Sequence, residues 1–279
     1  MRTHIIQHGT DGTGHQLHGL FSCLILHGVN GYYFDGYSFM RKPFRFEHIH
    51  GKVKDDVELY MKDIVKQFIR INRQDPCEYT HHVHAHEIYN IPINVSQNTL
   101  YSLDNSYYFD KIPNMNPDEW KIHSKNIDIY KTMFVNEKLP KNRLCEDNIV
   151  IHFRQGDAIT TGRGTDVQNH QTNLLIALTK TLSKYKGYTY YLHTDGDVSF
   201  FTNVLTQHSI NYVLYEKDEP IMNVLSDFIH SKIFFSGCSG LSTLCTFLGN
   251  HELIIIPNEI KQSIPCGDNV VRITEFNNA

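Results

Sequence analysis

The sequence predicts an α/β protein built on parallel, doubly wound sheets. Short apolar runs of strand length alternate with segments of helical periodicity from residue 149 to residue 256. The same alternation opens the chain over Thr3–Phe39, and glycine, serine and charged residues collect where the predicted strands end. In such sheets a ligand lies beyond the carboxyl ends of the strands.

The first block reads strand, loop, helix, strand. Ile5 and Ile6 end an apolar run, a glycine loop follows (Gly9 to Gly14), and apolar residues recur helically at Leu17, Leu20, Phe21, Leu24 and Ile25. Gly28 and Asn30-Gly31 stop that helix and Tyr32-Tyr33-Phe34 begins a second strand. Val57, Tyr60, Met61, Ile64, Val65, Phe68 and Ile69 give a helical pattern over 55–73. From Gln74 to Asp118 four prolines and many Asn, Tyr and His residues predict long loops with short strands. A helix is expected over Asp118–Phe134, and Pro140-Lys-Asn marks a domain boundary.

The second half is more regular. Strands are expected at Ile149–Phe153, Tyr188–Leu192, Tyr212–Tyr215, Ile233–Phe235 and Leu253–Ile256. Helices are expected at Leu174–Tyr185, Phe200–Gln207, Pro220–Ser231 and Leu241–Leu248, with a polar loop running from Asp157 to Asp166.

Composition narrows the function. A chain of 279 residues can form one large domain or two of ordinary size. A formal net charge of −4 argues against a basic face for nucleic acid, so any positive charge that meets a phosphate is local. Eighteen histidines make the molecule more positive as pH falls through about 6.5. Six cysteines without a CxxC pair read as reduced thiols. The N-terminus has no signal-peptide pattern, and Leu20–Leu26 is too short to span a bilayer. A cytoplasmic protein without a transmembrane segment is expected.

The strongest chemical cluster is His152-Phe-Arg154-Gln-Gly156-Asp157 at a strand end. Strand alternation points His152 and Arg154 the same way, and an arginine can grip a diphosphate with two parallel hydrogen bonds. Asp157 can hold the arginine or the loop; an ion pair between Arg154 and Asp157 at the sheet edge is the structural use of the same residues. Thr194-Asp195-Gly196-Asp197 could accept hydrogen bonds from a ribose or base edge, or form a solvated turn. Ser236-Gly-Cys-Ser239-Gly240-Leu-Ser242-Thr243 puts hydroxyls and amides at a helix start, which favours an anion or serves simply as a cap. Gly12-Thr-Gly14-His15-Gln16 offers the same kind of phosphate site from the other half. In the run His81–Glu87, His84 and His86 could share a strand face and bind zinc; a sugar-acceptor surface or a solvated strand is the preferred reading.

The order of these motifs resembles the superfamily of α1,2-, α1,6- and protein O-fucosyltransferases. Gly12-Thr-Gly14-His15-Gln16-Leu17-His18 is similar to their N-terminal phosphate-side loop. His152, Arg154 and Asp157 match their arginine motif, Thr194-Asp195 the second motif, and Pro220–Gly249 the third, ending on Ser239 and Ser242. The resemblance covers both ends and the second half; residues from about 40 to 140 do not align. It implies a GT-B fold, two Rossmann-like domains whose parallel sheets face a central cleft. Residues 1–140 would form a mainly acceptor-side domain and 141–279 the nucleotide-sugar-binding domain. It also implies inverting transfer from a nucleotide sugar, best GDP-fucose, to a glycan hydroxyl, with no metal and no cofactor.

On that reading Gly12, Gly14, His15, Gln16, His18, His152, Arg154, Thr194, Asp195, Asp197, Ser239, Gly240, Ser242 and Thr243 would bind the donor. Arg154 would support the leaving diphosphate, Asp157 would position, and Asp166 or Asp11 would be the general base. The chain departs from the resemblance in carrying Gln155 where a second arginine is common and Gly196 where a second acid is common. Another nucleotide sugar such as UDP-xylose, a pyruvyl-type transfer, and a non-catalytic glycan- or nucleotide-binding protein are the alternatives. The acceptor and the oligomeric state are left open.

Overall fold

The computed structural model describes the strands at 3–8, 33–38, 81–85 and 99–103, helical positions between 118 and 135, and most of 139–256 with 269–272. Residues 154, 156–163, 183, 216–218, 238 and 257–268 lie outside the described set, as do all side chains of the first two strands. The chain divides into two compact units, Met1–Phe134 and Val135–Ala279.

In the first unit β1 (Thr3–His8), β2 (Tyr33–Ser38), β3 (His81–Ala85) and β4 (Thr99–Leu103) form a parallel sheet in the order β2-β1-β4-β3. β1 and β2 run parallel, as a strand–crossover–strand block requires. The stretch expected to be mostly loop supplies both β3 and β4. The histidine run is therefore in part a strand: His81 to Ala85 pair in register with Thr99 to Leu103. The described residues between 118 and 135 are helical, as their sequence predicts.

The second unit is built on six parallel strands: β5 (Asn148–Phe153), β6 (Thr189–Thr194), β7 (Tyr212–Tyr215), β8 (Ile233–Phe235), β9 (Leu253–Ile256) and β10 (Val270–Arg272). Their spatial order is β7-β6-β5-β8-β9-β10. Counted from β5 this is 3-2-1-4-5-6, the doubly wound order whose direction of winding reverses between the first and fourth strands. That switch point falls between β5 and β8, which pair in register from Ile149↔Ile233 to Ile151↔Phe235. Parallel strands buried on both faces read as continuous apolar runs, which is why β5, β8 and β9 lie where the sequence predicts strands; β10 has no counterpart among the predicted strands.

Four helices cover the sheet: α1 (Gly164–Leu182), α2 (Ser199–Gln207), α3 (Ile221–His230) and α4 (Gly240–Leu248). Ile149, Ile151 and Phe153 of β5 pack with Leu174, Leu178 and Leu182 of α1 and Phe201 and Leu205 of α2. Alternation sends His152 to the opposite face, where its ring lies 4.8 Å from that of Phe228 on α3. Helix α1 corrects one expectation. It begins at Gly164 rather than near Leu174, so Asp166, expected at the end of a loop, belongs to the first helical turn. The early turns carry Gln168, Asn169 and Thr172, all exposed, and an exposed turn leaves no apolar period to read.

Candidate functional site

The site is built at the switch point from the carboxyl ends of β5, β6 and β8 and the start of α4. Ser239 is the N-cap of α4, in extended backbone (φ −146°, ψ 150°), and its Oγ accepts the Ser242 N–H at 3.1 Å. The same hydroxyl donates to Ser242 Oγ at 3.2 Å. Ser242 Oγ in turn meets His152 Nδ1 at the end of β5. If each hydroxyl donates onward, the His152 ring proton is placed on Nε2; this tautomer is assigned from the donor order. The loop between β8 and α4 comes close enough for this contact because residue 237 is glycine. A Cβ there would sit 2.7 Å from the His152 carbonyl oxygen and 3.1 Å from Nδ1. Ser239, Gly240, Ser242 and Thr243 are all buried, and Thr243 Oγ1 donates to the Ser239 carbonyl at 3.1 Å. The first turn of α4 thus brings hydroxyls, backbone amides and the positive end of its dipole to the crevice.

At the end of β6 the three predicted acceptors have structural partners. Thr194 Oγ1 accepts the Gly196 N–H at 3.2 Å. Asp195 Oδ1 accepts the Gln155 N–H at 2.5 Å. Asp197 accepts Ser199 N–H at 2.8 Å and Ser199 O–H at 3.0 Å, tying off the start of α2 and holding its own carboxyl below the usual range. The structure therefore brings His152, Thr194, Asp195, Asp197, Ser239, Gly240, Ser242 and Thr243 to neighbouring strand ends of one sheet. Gly12, Gly14, His15, Gln16, His18, Asp11, Arg154 and Asp157 lie outside the described residues, and of Asp166 only the backbone is described.

One group of residues at the site falls outside the sequence-predicted set. His193, next to Thr194 and only 4% exposed, has Nε2 3.0 Å from Asp227 Oδ2 on α3, a contact that lies off the N–H direction. Asp227 is fully buried, and Arg143 grips it through Nε (2.9 and 3.1 Å) and Nη2 (2.6 Å). Arg143 also donates from Nη1 to Glu219 at 2.5 Å and lies over the Tyr215 ring at 4.2 Å. His193 is sandwiched between Tyr215 and Phe228. The single acid in the otherwise uncharged helix IMNVLSDFIH was the available clue, beside an apolar stripe that faces the sheet.

Burial pushes the His193 imidazole below its ordinary value of 6.5, outweighing the pull of Asp227 in the other direction. Burial pushes Asp227 up, but the contacts with His193 and Arg143 outweigh it and hold the carboxyl below 3.8. Both groups thus bind protons less readily in the folded chain than in the unfolded one, so stability is lost as pH is lowered. The His193 contribution is intact above 6.5 and is lost as pH drops below it; that of Asp227 follows below 3.8. The thermal midpoint is expected to decline from about pH 7 to about pH 5, and less steeply in His193→Gln. Equal slopes for the two proteins contradict the assignment.

Among the described residues, no group of His, Cys, Asp and Glu is arranged to hold a metal ion. None of the described helices is long and apolar enough to cross a membrane. The described cysteines, Cys145 and Cys245, are free thiols.

No protein-family model matches the chain, and no curated protein sequence matches it. Solved structures similar to it include POFUT1 in complex with GDP, with a TM-score of 0.49 at 11% identity, covering 90% of this chain and 95% of that one. POFUT1 in complex with GDP-fucose gives 0.49 at 12%, covering 89% and 94%. Fucosyltransferase NodZ from Bradyrhizobium gives 0.43 at 10%, covering 91% and 94%. Likeness at this level leaves the function to be argued from the chain's own residues.

Proposed function

We propose that the chain is a glycosyltransferase that moves a sugar from a nucleoside diphosphate to an acceptor hydroxyl, with inversion, and that the donor is GDP-fucose. The observation that carries this reading is the Ser239–Ser242–His152 chain at the switch point of a 3-2-1-4-5-6 parallel sheet. A helix N-terminus and a strand-end histidine converge where such sheets hold nucleotides, and the next residue but one after His152 is Arg154.

Breaking the glycosidic bond places negative charge on the departing diphosphate. The α4 amides and Arg154 would stabilise that charge, with the Gly14 and His15 amides supplying donors from the N-terminal loop. Because these groups supply the positive potential, no divalent cation is invoked. Asp195, with one oxygen committed to Gln155 N–H, keeps the other for a ribose hydroxyl or a base N–H. A carboxylate, Asp166 or Asp11, takes the acceptor proton from the opposite face of the sugar, and Asp157 positions the arginine loop. The motif resemblance supports guanine and fucose as base and sugar, and a glycan as acceptor.

A thermal-shift screen over GDP, UDP, CDP and dTDP and their sugars tests this. A ligand at 100 times its Kd stabilises the folded chain by about 2.7 kcal/mol, and GDP and GDP-fucose are expected to give the largest shifts. A response confined to UDP-sugars replaces the donor and keeps the reaction class. No response to any nucleotide removes the reading.

A further inference from the structure

The chain binds the ends of β5 and β6 together through a side chain that none of the site assignments above includes. Gln155 is 5% exposed. Its Nε2 donates to the Asp197 carbonyl at 2.6 Å, and its Oε1 accepts the Asp197 N–H at 2.8 Å. The amide therefore pairs with one backbone residue through both of its ends, as a neighbouring strand would, and the two bonds together fix its orientation. Its own N–H is held by Asp195 Oδ1. Three hydrogen bonds thus join residue 155 to the turn at 195–197. The side chain also fills the space beside residue 196: a Cβ on Gly196 would lie 2.2 Å from Gln155 Oε1 and 2.5 Å from its Cβ. Contacts that close are forbidden, so Gln155 in this position requires glycine at 196.

We infer that Gln155 is a positioning residue for the transfer reaction, tying the end of β5 to the turn that carries Asp195, and that Gln155 and Gly196 form a matched pair. This rests on the glycosyltransferase reading. Arg154 is the single residue between Phe153, paired in register with Thr194, and Gln155, tied to Asp195 and Asp197. The anion-binding and ribose-binding strand ends consequently move as one body, which is what a site that must hold a donor in one geometry requires.

The test uses Gln155→Leu, Gly196→Ala, Gln155→Gly and the double variant Gln155→Gly/Gly196→Ala in the full chain, glycine being needed at 155 because a Cβ on residue 196 also meets the Gln155 Cβ. Donor turnover and thermal midpoint are read for each. Gln155→Leu keeps the volume and removes both side-chain bonds. It is expected to lower kcat at least tenfold while the donor KM changes less than threefold. Gly196→Ala is expected to lower the midpoint and turnover, and the double variant to recover both to the level of Gln155→Gly. Full kcat in Gln155→Leu overturns the positioning role. A double variant no better than Gly196→Ala overturns the pairing. If the wild-type chain neither binds nor turns over any nucleotide sugar, the glycosyltransferase reading and the positioning role fall together. The recovery of the midpoint still decides the matched pair in that case.

Discussion

Arg154→Ala is expected to lower kcat by about 10²–10³-fold at saturating donor, the usual consequence of deleting one donor to a developing oxyanion. The loss should appear in kcat more than in KM, because the charge on the diphosphate grows as the glycosidic bond breaks. Arg154→Lys should fall between wild type and alanine. It keeps the charge and gives up the planar fork that matches a diphosphate with two parallel bonds. Steady-state kinetics with the donor identified by the ligand screen provide the measurement. An alanine variant that turns over near the wild-type rate removes Arg154 from the mechanism and leaves the α4 N-terminus as the anion site.

The second large effect concerns stability. Asp227 is fully buried, with Arg143 on one side and His193 on the other. Breaking a buried ion pair from one side is expected to cost about 3–5 kcal/mol, and Asp227 is the group that holds both Arg143 and the buried His193. Asp227→Ala should therefore lose a large part of the 5–15 kcal/mol by which domains are ordinarily stable. Asp227→Asn keeps the shape and one acceptor oxygen and should lose less. Denaturant unfolding with an unchanged m-value gives the difference directly. A loss below about 1 kcal/mol for Asp227→Ala would place the pair in the class of weak, solvent-screened ion pairs, contrary to its burial. Arg143→Ala would leave the fully buried Asp227 carboxylate without its counter-charge and should cost at least as much, although 32% of the arginine side chain is accessible.

These two residues show how the sequence divides into what is readable and what is not. The bounds of β7, β8 and β9 match the predicted strands residue for residue: β8 and β9 because a buried parallel strand is an unbroken apolar run, and β7, an exposed edge strand, because its apolar and aromatic residues favour a strand. The hydroxyls at 239 and 242 were readable for a local reason: an N-cap and its bond partner lie three residues apart. The start of helix α1 is not legible because exposed polar turns have no period, nor is β10, a three-residue edge strand too short to show one. The Gln155–Asp197 pairing spans 42 residues and the Arg143–Asp227 pair 84, and no local pattern encodes such distances. Gln155 and Gly196 each look like a departure from the motif they sit in. In the fold they touch, and each accounts for the other.

On the proposed function, the crevice between β5 and β8 holds the diphosphate of a nucleotide sugar. A crystal structure with the nucleoside diphosphate selected by the thermal-shift screen tests it most directly. The diphosphate is predicted against the amides of residues 239–243 and beside His152, with the ribose or base within hydrogen-bond distance of Asp195. A nucleotide seated elsewhere on the chain, with the Ser239–Ser242–His152 end of the crevice holding only water, would contradict it.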